Sequence, residues 1–281
     1  MAIDVKTNTA SLNSLTQLNR TTRALSRSFE RISSGLRIAR AADDAAGLAV
    51  AENLRASHKS AAVAARNTND GMSIVAVAEG ASSEVGNILV RMRELAIQGA
   101  SETLGTDERA YIQQEYVSLS DEVNRISAVT EFNGSTLVDG SGGGGTGVIG
   151  VQVGIQNTVN DQIDITLGDL RSSTLGIDTA SIDMSTATGA SASLTDIDAA
   201  IDIVSSYRAG YGATENRLTN ALTNLETFEQ MTVEAEARIR DADFGKETAM
   251  LSQNQVLQQA GVSVLGQAKN LNQSALTLLQ G

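Results

Sequence analysis

Leu15, Leu18, Thr22, Leu25, Phe29, Ile32, Leu36 and Ala39 follow one another three and four positions apart. That spacing is a coiled-coil seam and predicts an N-terminal helix with one narrow apolar stripe, although Gly35 interrupts the run. At the other end Met250, Leu257, Val264, Leu271 and Leu278 recur every seven residues, and the small residues Gly261, Ala268 and Ala275 lie four after three of them. A lone helix with so narrow a stripe does not hold itself in water, because helical stability comes mostly from packing. The economical expectation is that the two ends pair with each other and with copies of the chain.

Between the ends, Asp44 to about Ala100 reads as one alanine-rich helix, roughly 80 Å long at 1.5 Å per residue. A second central helix begins near Thr106, which is placed to cap it, with Asp107 and Glu108 at the positive end of its dipole. Its seam is Ile112, Tyr116, Leu119, Val123 and Ile126. A third is expected from Thr195, where "TDID" has the capping-box form, to about Ala237. In the middle, Ile149, Val151, Val153 and Ile155 alternate with small or polar residues, as do Ile163, Ile165 and Leu167. Two period-two runs joined by "QNTVND" predict a β-hairpin. Residues 178–194 are small and hydroxyl-rich and read as a surface loop. The expected fold class is mainly α: a long coiled-coil bundle with a small β-hairpin region.

Composition sharpens this picture. Proline, cysteine and tryptophan are absent from the 281 residues, and aromatics make up 3%. The core is therefore expected to be thin and aliphatic, and the helices can run without proline kinks. No disulfide, thiolate metal site or cysteine nucleophile is possible. Net charge is -12, which argues against nucleic acid as a partner. The charge is uneven: residues 1–40 carry Lys6 and six arginines against Asp4 and Glu30, a basic arm on an acidic body. Such asymmetry suits either self-contact or a solvated helix face. "MAIDVKTNTASLN" lacks the build of a secretory signal, and no apolar run is long enough to span a membrane.

Candidate chemistry is sparse. "GGGGTG" at 142–147 matches G-x-G-x-x-G in letters, but a turn precedes it and a strand follows, the reverse of what a dinucleotide site needs. His58 is the single histidine, so one chain cannot form a His-pair metal site, and the residue is expected on an exposed helix face beside Lys59. The acidic pairs in "ADDA" (Ala42 to Ala45) and "DADF" (Asp241 to Phe244) lack the further oxygens a hard cation needs. Starting a helix explains both better. No catalytic triad or lysine-based constellation is visible, so no enzyme activity and no cofactor are expected.

"SSGLRIARAADDAAGLAVAENLR" (Ser33–Arg55), "NDGMSIVAVAEGASSEVGNILVRMRELAIQGAS" (Asn69–Ser101) and "EFNGSTL" (Glu131–Leu137) resemble the N-terminal motifs of bacterial flagellins. "RIRDADFGKETAMLSQNQVLQQAGVSVLGQA" (Arg238–Ala268) resembles the C-terminal one. The resemblance covers roughly residues 1–180 and 194–281. "IARAADDAAG" departs from the family, which more often has a polar residue and a lysine in that run. The large outer domains are nearly absent, which makes this a short form. The resemblance implies five segments. They are an inner-core helix at 1–43, an outer-core part with the hairpin at 44–177, a short loop at 178–194 in place of the outer domains, an outer-core helix at 195–237 and an inner-core helix at 238–281. The inner-core seam would comprise Leu18, Leu25, Phe29, Ile32, Leu257, Val264, Leu271 and Leu278.

The resemblance further implies a structural subunit that polymerises into an extracellular flagellar filament for motility. It would be exported unfolded through the flagellar secretion apparatus without a cleaved signal. Implied partners are further copies of the chain, an export chaperone at the C-terminus, and the filament cap and hook-junction proteins. In flagellins detected by Toll-like receptor 5, the recognised motif matches Arg91, Leu95 and Glu115 here, positions that can also serve axial subunit contacts. Ser181, Ser185, Thr186, Thr188, Ser191 and Ser193 are the candidate O-glycosylation acceptors. A hook–filament junction protein and a coiled-coil scaffold or signalling module are the alternatives.

Overall fold

The computed structural model describes residues 7–279, with side chains described through Asn270. Helix α1 spans Thr9–Ser34. The Asn8 side chain accepts the Ser11 N–H at its start, and Gly35 at φ 70° ends it in the left-handed conformation that glycine adopts without strain. Helix α2 runs over Ala45–Gly99 and α3 over Thr106–Val129. Gly105, not Thr106, is the N-cap of α3, and no side chain caps it. Instead the Arg109 guanidinium reaches back to the carbonyls of Gly99 and Ser101, at 3.0 and 2.6 Å, and ties the α2–α3 turn.

Two antiparallel hairpins follow. Strands β1 (Glu131–Phe132) and β2 (Ser135–Thr136) close around Asn133 and Gly134, whose φ values of 51° and 77° suit a two-residue hairpin turn. After the glycine turn α4 (Gly142–Gly145), β3 (Val148–Gln152) pairs with β4 (Gln162–Thr166). Ile149 lies opposite Ile165 and Val151 opposite Ile163, as the period-two pattern predicts. A short α5 (Ser172–Leu175) leads to α6 (Ala187–Arg240) and α7 (Phe244–Leu279).

The expected loop at 178–194 is shorter than the sequence suggests. Helix α6 starts at Ala187, eight residues before "TDID", because the Thr186 hydroxyl accepts the Gly189 N–H and begins the helix there. Ile182 and Met184 are buried, so this stretch contributes to the core as well as the surface.

The chain divides into two compact units. One consists of Met1–Ala56 with Met231–Gly281, the other of Ser57–Gln230. The boundaries fall inside α2 and α6. Within the first unit, Arg240 at the end of α6 pairs with Glu52 at 3.1 Å, which joins the first turns of α2 to the last turns of α6. The second unit holds the main core, with Leu89, Met92, Leu95, Leu137, Ile165, Ile197 and Leu218 fully buried. Tyr116 and Tyr211 are also fully buried, so the core is less purely aliphatic than the composition implies. Each phenol finds a backbone partner: Tyr116 donates to the Ile177 carbonyl at 2.9 Å and Tyr211 accepts the Gly168 N–H at 2.8 Å. Burial pushes both phenols above their ordinary range.

Candidate functional site

The joint between α1 and α2 explains the acidic pair. Asp43 turns back on its own loop, accepting the N–H groups of Ala39 and Arg40, while Asp44 accepts the Gly47 N–H at 2.9 Å and caps α2. Gly47 is required there, since a Cβ would meet the Asp44 carboxylate and Ile38 Cδ1 within 2.9 Å. Asp243 does the same at the start of α7, accepting the Lys246 N–H at 3.1 Å. One carboxylate of each pair, Asp44 and Asp243, thus caps a helix start. The two starts are stitched together. Leu36 forms an antiparallel bridge to Asp241, the Arg37 N–H donates to the Arg240 carbonyl at 2.7 Å, and the Ala242 N–H donates to the Gly35 carbonyl at 2.9 Å. The Arg37 guanidinium donates to the Ile239 carbonyl at 2.5 Å, next to the end of α6.

Beyond the joint, α1 and α7 run antiparallel. Asn8 donates to the Ala268 carbonyl at 2.9 Å, a Cβ on Gly261 would touch Leu18, and Arg31 lies 3.9 Å from Glu247. The face that α1 turns to α7 carries Leu18, Thr21, Leu25, Ser28 and Ile32, all buried or half-buried. The answering face of α7 carries Glu247, Leu251, Gln258, Gly261, Leu265 and Ala268. The seam read from sequence is therefore divided. Leu18, Leu25 and Ile32 face the partner helix within the chain. Phe29 is 51% exposed, Leu257 47% and Val264 51%. With Leu12, Leu15 and Met250 they form second, uncovered apolar stripes, one on each helix. Leu271 and Leu278 lie outside the described side chains. The inward faces mix Leu18, Leu25, Ile32, Leu251 and Leu265 with polar and small residues, so a search for apolar periodicity finds only part of them. The small residues leave their own trace in the sequence, the offset of Gly261 and Ala268 by four from Leu257 and Val264.

In the second unit, Arg91 and Glu115 lie together on the surface. The guanidinium donates twice to one Glu115 oxygen, at 3.0 and 2.7 Å, and once to Glu94 at 2.9 Å. Leu95 is not beside them on the surface. It is 1% exposed in the core, because four helical residues rotate about 40° past a full turn and carry it under the edge of the face. Of the hydroxyl candidates, Ser181, Ser185, Thr186, Thr188 and Ser191 are exposed. Ser193 is buried and donates to the Gly189 carbonyl, which removes it as an accessible acceptor. The tip of the β3–β4 hairpin presents Val159, 90% exposed, beside a groove of about 510 Å³ lined by Ile155, Ala221, Leu225 and Phe228. The "GGGGTG" run is the tight turn α4, with Gly143 and Gly144 at φ 63° and 73°. His58 is half-buried within α2 rather than fully exposed. Among the described residues no three His, Asp or Glu side chains gather as metal ligands, and no helix is long and apolar enough to cross a membrane.

Comparison with known proteins agrees with this geometry. Residues 5–142 match the model of the bacterial flagellin N-terminal helical region, and residues 194–279 match that of the C-terminal helical region. Flagellin of Bacillus subtilis is 37% identical over 97% of this chain and 98% of its own length. Flagellin of Halalkalibacterium halodurans is 38% identical over 90% of this chain and 91% of its own. The crystal structure of Bacillus cereus flagellin, 30% identical, superposes with a TM-score of 0.50 over 57% of this chain and 88% of that one. Two family models together spanning most of the sequence, and relatives matched nearly end to end, show that this chain belongs to the bacterial flagellin family, a family of structural rather than enzymatic proteins.

Proposed function

We propose that this chain is the structural subunit of a bacterial flagellar filament and acts by joining copies of itself through its terminal helices. The observation that carries the reading is the uncovered stripe on each member of the α1–α7 pair. An antiparallel pair that was complete in itself would have no use for Phe29, Met250, Leu257 and Val264 on its outer faces. Stacked copies would cover those stripes. The same reading makes α2, α3 and α6 an outer layer and places the assembled product outside the cell.

Export in an unfolded state suits a chain without cysteine or proline, which forms no disulfide and has no slow prolyl step. An export chaperone would hold the C-terminal stripe before assembly, and cap and hook-junction proteins would meet it at the filament ends. Arg91 and Glu115, with Leu95 supporting them from below, form the proposed contact for Toll-like receptor 5 and for an axial neighbour. Electron microscopy of purified chain after salt-induced assembly tests the central reading. Long helical filaments are the expected result, and a chain that stays monomeric under conditions that assemble the Bacillus subtilis relative would overturn it.

A further inference from the structure

We propose that Asn133 is a self-modification site: the Gly134 backbone nitrogen displaces its side-chain amide, leaving aspartate or isoaspartate in the β1–β2 turn. Asn133–Gly134 is the one Asn-Gly pair in the sequence. Glycine favours the step because no side chain shields its nitrogen. Here both residues are exposed, and the space that a Gly134 Cβ would occupy is open to 4 Å.

The chemistry needs only water. The Gly134 nitrogen loses its proton and bonds to Cγ of Asn133. The bond from Cγ to the side-chain nitrogen breaks, and ammonia leaves. Water then opens the five-membered imide at one of its two carbonyls. Opening at one restores the original main chain with aspartate. Opening at the other routes the main chain through the β-carbon as isoaspartate.

The fold sets this asparagine apart from those in the long helices. Asn69 and Asn216 lie in helices, where the next backbone N–H is committed to the helical ladder, and their side-chain amides donate to carbonyls one turn back. Asn124 lies in α3 with its side-chain oxygen holding the Ser172 N–H. In the β1–β2 turn, Phe132 pairs with Ser135 and leaves the Gly134 N–H between them outside the ladder. The left-handed backbone must rotate before the nitrogen can reach Cγ. With strands of only two residues each, local opening supplies that rotation at low cost.

Isoaspartate adds an atom to the main chain, so Glu131 with Thr136 and Phe132 with Ser135 can no longer both pair. The disturbance lies next to the core. Leu137 and Val138 follow at once, buried and held by Thr130 and by the Ser127 hydroxyl. The test is to incubate folded full-length chain in mildly alkaline buffer and follow each asparagine-containing peptide by mass spectrometry. Isoaspartyl methyltransferase with labelled methyl donor counts the rearranged product. The peptide containing Asn133 should gain the mass of amide-to-acid exchange before any other and should accept the methyl label. Asn133→Gly, which suits the positive φ, should remove both signals while the chain remains folded. The inference is overturned if other asparagines convert as fast. It is equally overturned if Asn133 converts only after unfolding in urea.

Discussion

Val264 offers a test in which the free chain and the assembled one should respond differently. Its side chain is 51% exposed in the single chain, on the face of α7 turned away from α1. Full burial of a valine contributes at least about 1.5 kcal/mol, so covering the remaining half contributes roughly 1 kcal/mol per subunit. Val264→Ala should therefore raise the critical concentration for assembly only about fivefold, at about 1.4 kcal/mol per decade. Val264→Asp forfeits the same burial and also places an unpaired charge in the contact, at a cost on the order of 3–5 kcal/mol. Its critical concentration should rise by roughly three to four decades. The free chain should not register the change, because a charge at a half-exposed position stays hydrated. Sedimentation after seeding measures the first quantity and thermal unfolding of monomer the second. Assembly of the aspartate variant at the wild-type concentration would show that this stripe is not a subunit contact. A large fall in the monomer's melting temperature would show instead that Val264 belongs to the internal seam.

Other expectations concern the second unit. Tyr116→Phe removes the phenol that donates to Ile177 and should cost about 1 kcal/mol in urea unfolding, with an unchanged denaturant slope. Gly143→Ala should destabilise more than Gly144→Ala: both sit at positive φ, but a Cβ at 143 would strike the Val148 carbonyl while one at 144 meets nothing, a difference that chemical denaturation can resolve. The Arg171 guanidinium beside Asp169 holds that carboxyl below its ordinary range. Its contribution is complete above the unfolded aspartate value near ~3.9 and is lost as pH falls through the lower folded value. Asp169→Asn should therefore flatten the acid limb of the stability curve. Arg91→Ala and Glu115→Ala should each weaken receptor activation by monomer, and undiminished activation by the double variant would remove that site.

The helices were legible because their signals are local. Leu15 to Ile32, the alanine-rich run after Asp44 and the alternation around Val151 each report a period that one element satisfies by itself. The start of α6 differs from the reading since "TDID" is a good cap, but the Thr186 hydroxyl, nine residues earlier, lies beside a stretch already anchored by Met184. Packing made that choice, and packing is not written in a capping box. Leu95 and Ser193 show the same limit. Spacing places a residue on a helix, but the neighbouring elements decide whether it faces water. The two faces of α1 were indistinguishable in sequence because Thr21 and Ser28, which pack inward, are polar, while Phe29, which does not, is apolar.

The joint at Gly35 has a mechanical consequence. A pair of helices hung from a single covalent strand would swivel freely, since rotation about one chain's bonds meets little resistance. Here two strands cross side by side, one entering α2 and one leaving α6, laced by the Leu36–Asp241 bridge and the hydrogen bonds of Arg37 and Ala242. Twisting one end against the other would have to break those cross-ties together rather than in turn. A tether of that kind behaves as a strap rather than a string, and a strap passes on rotation.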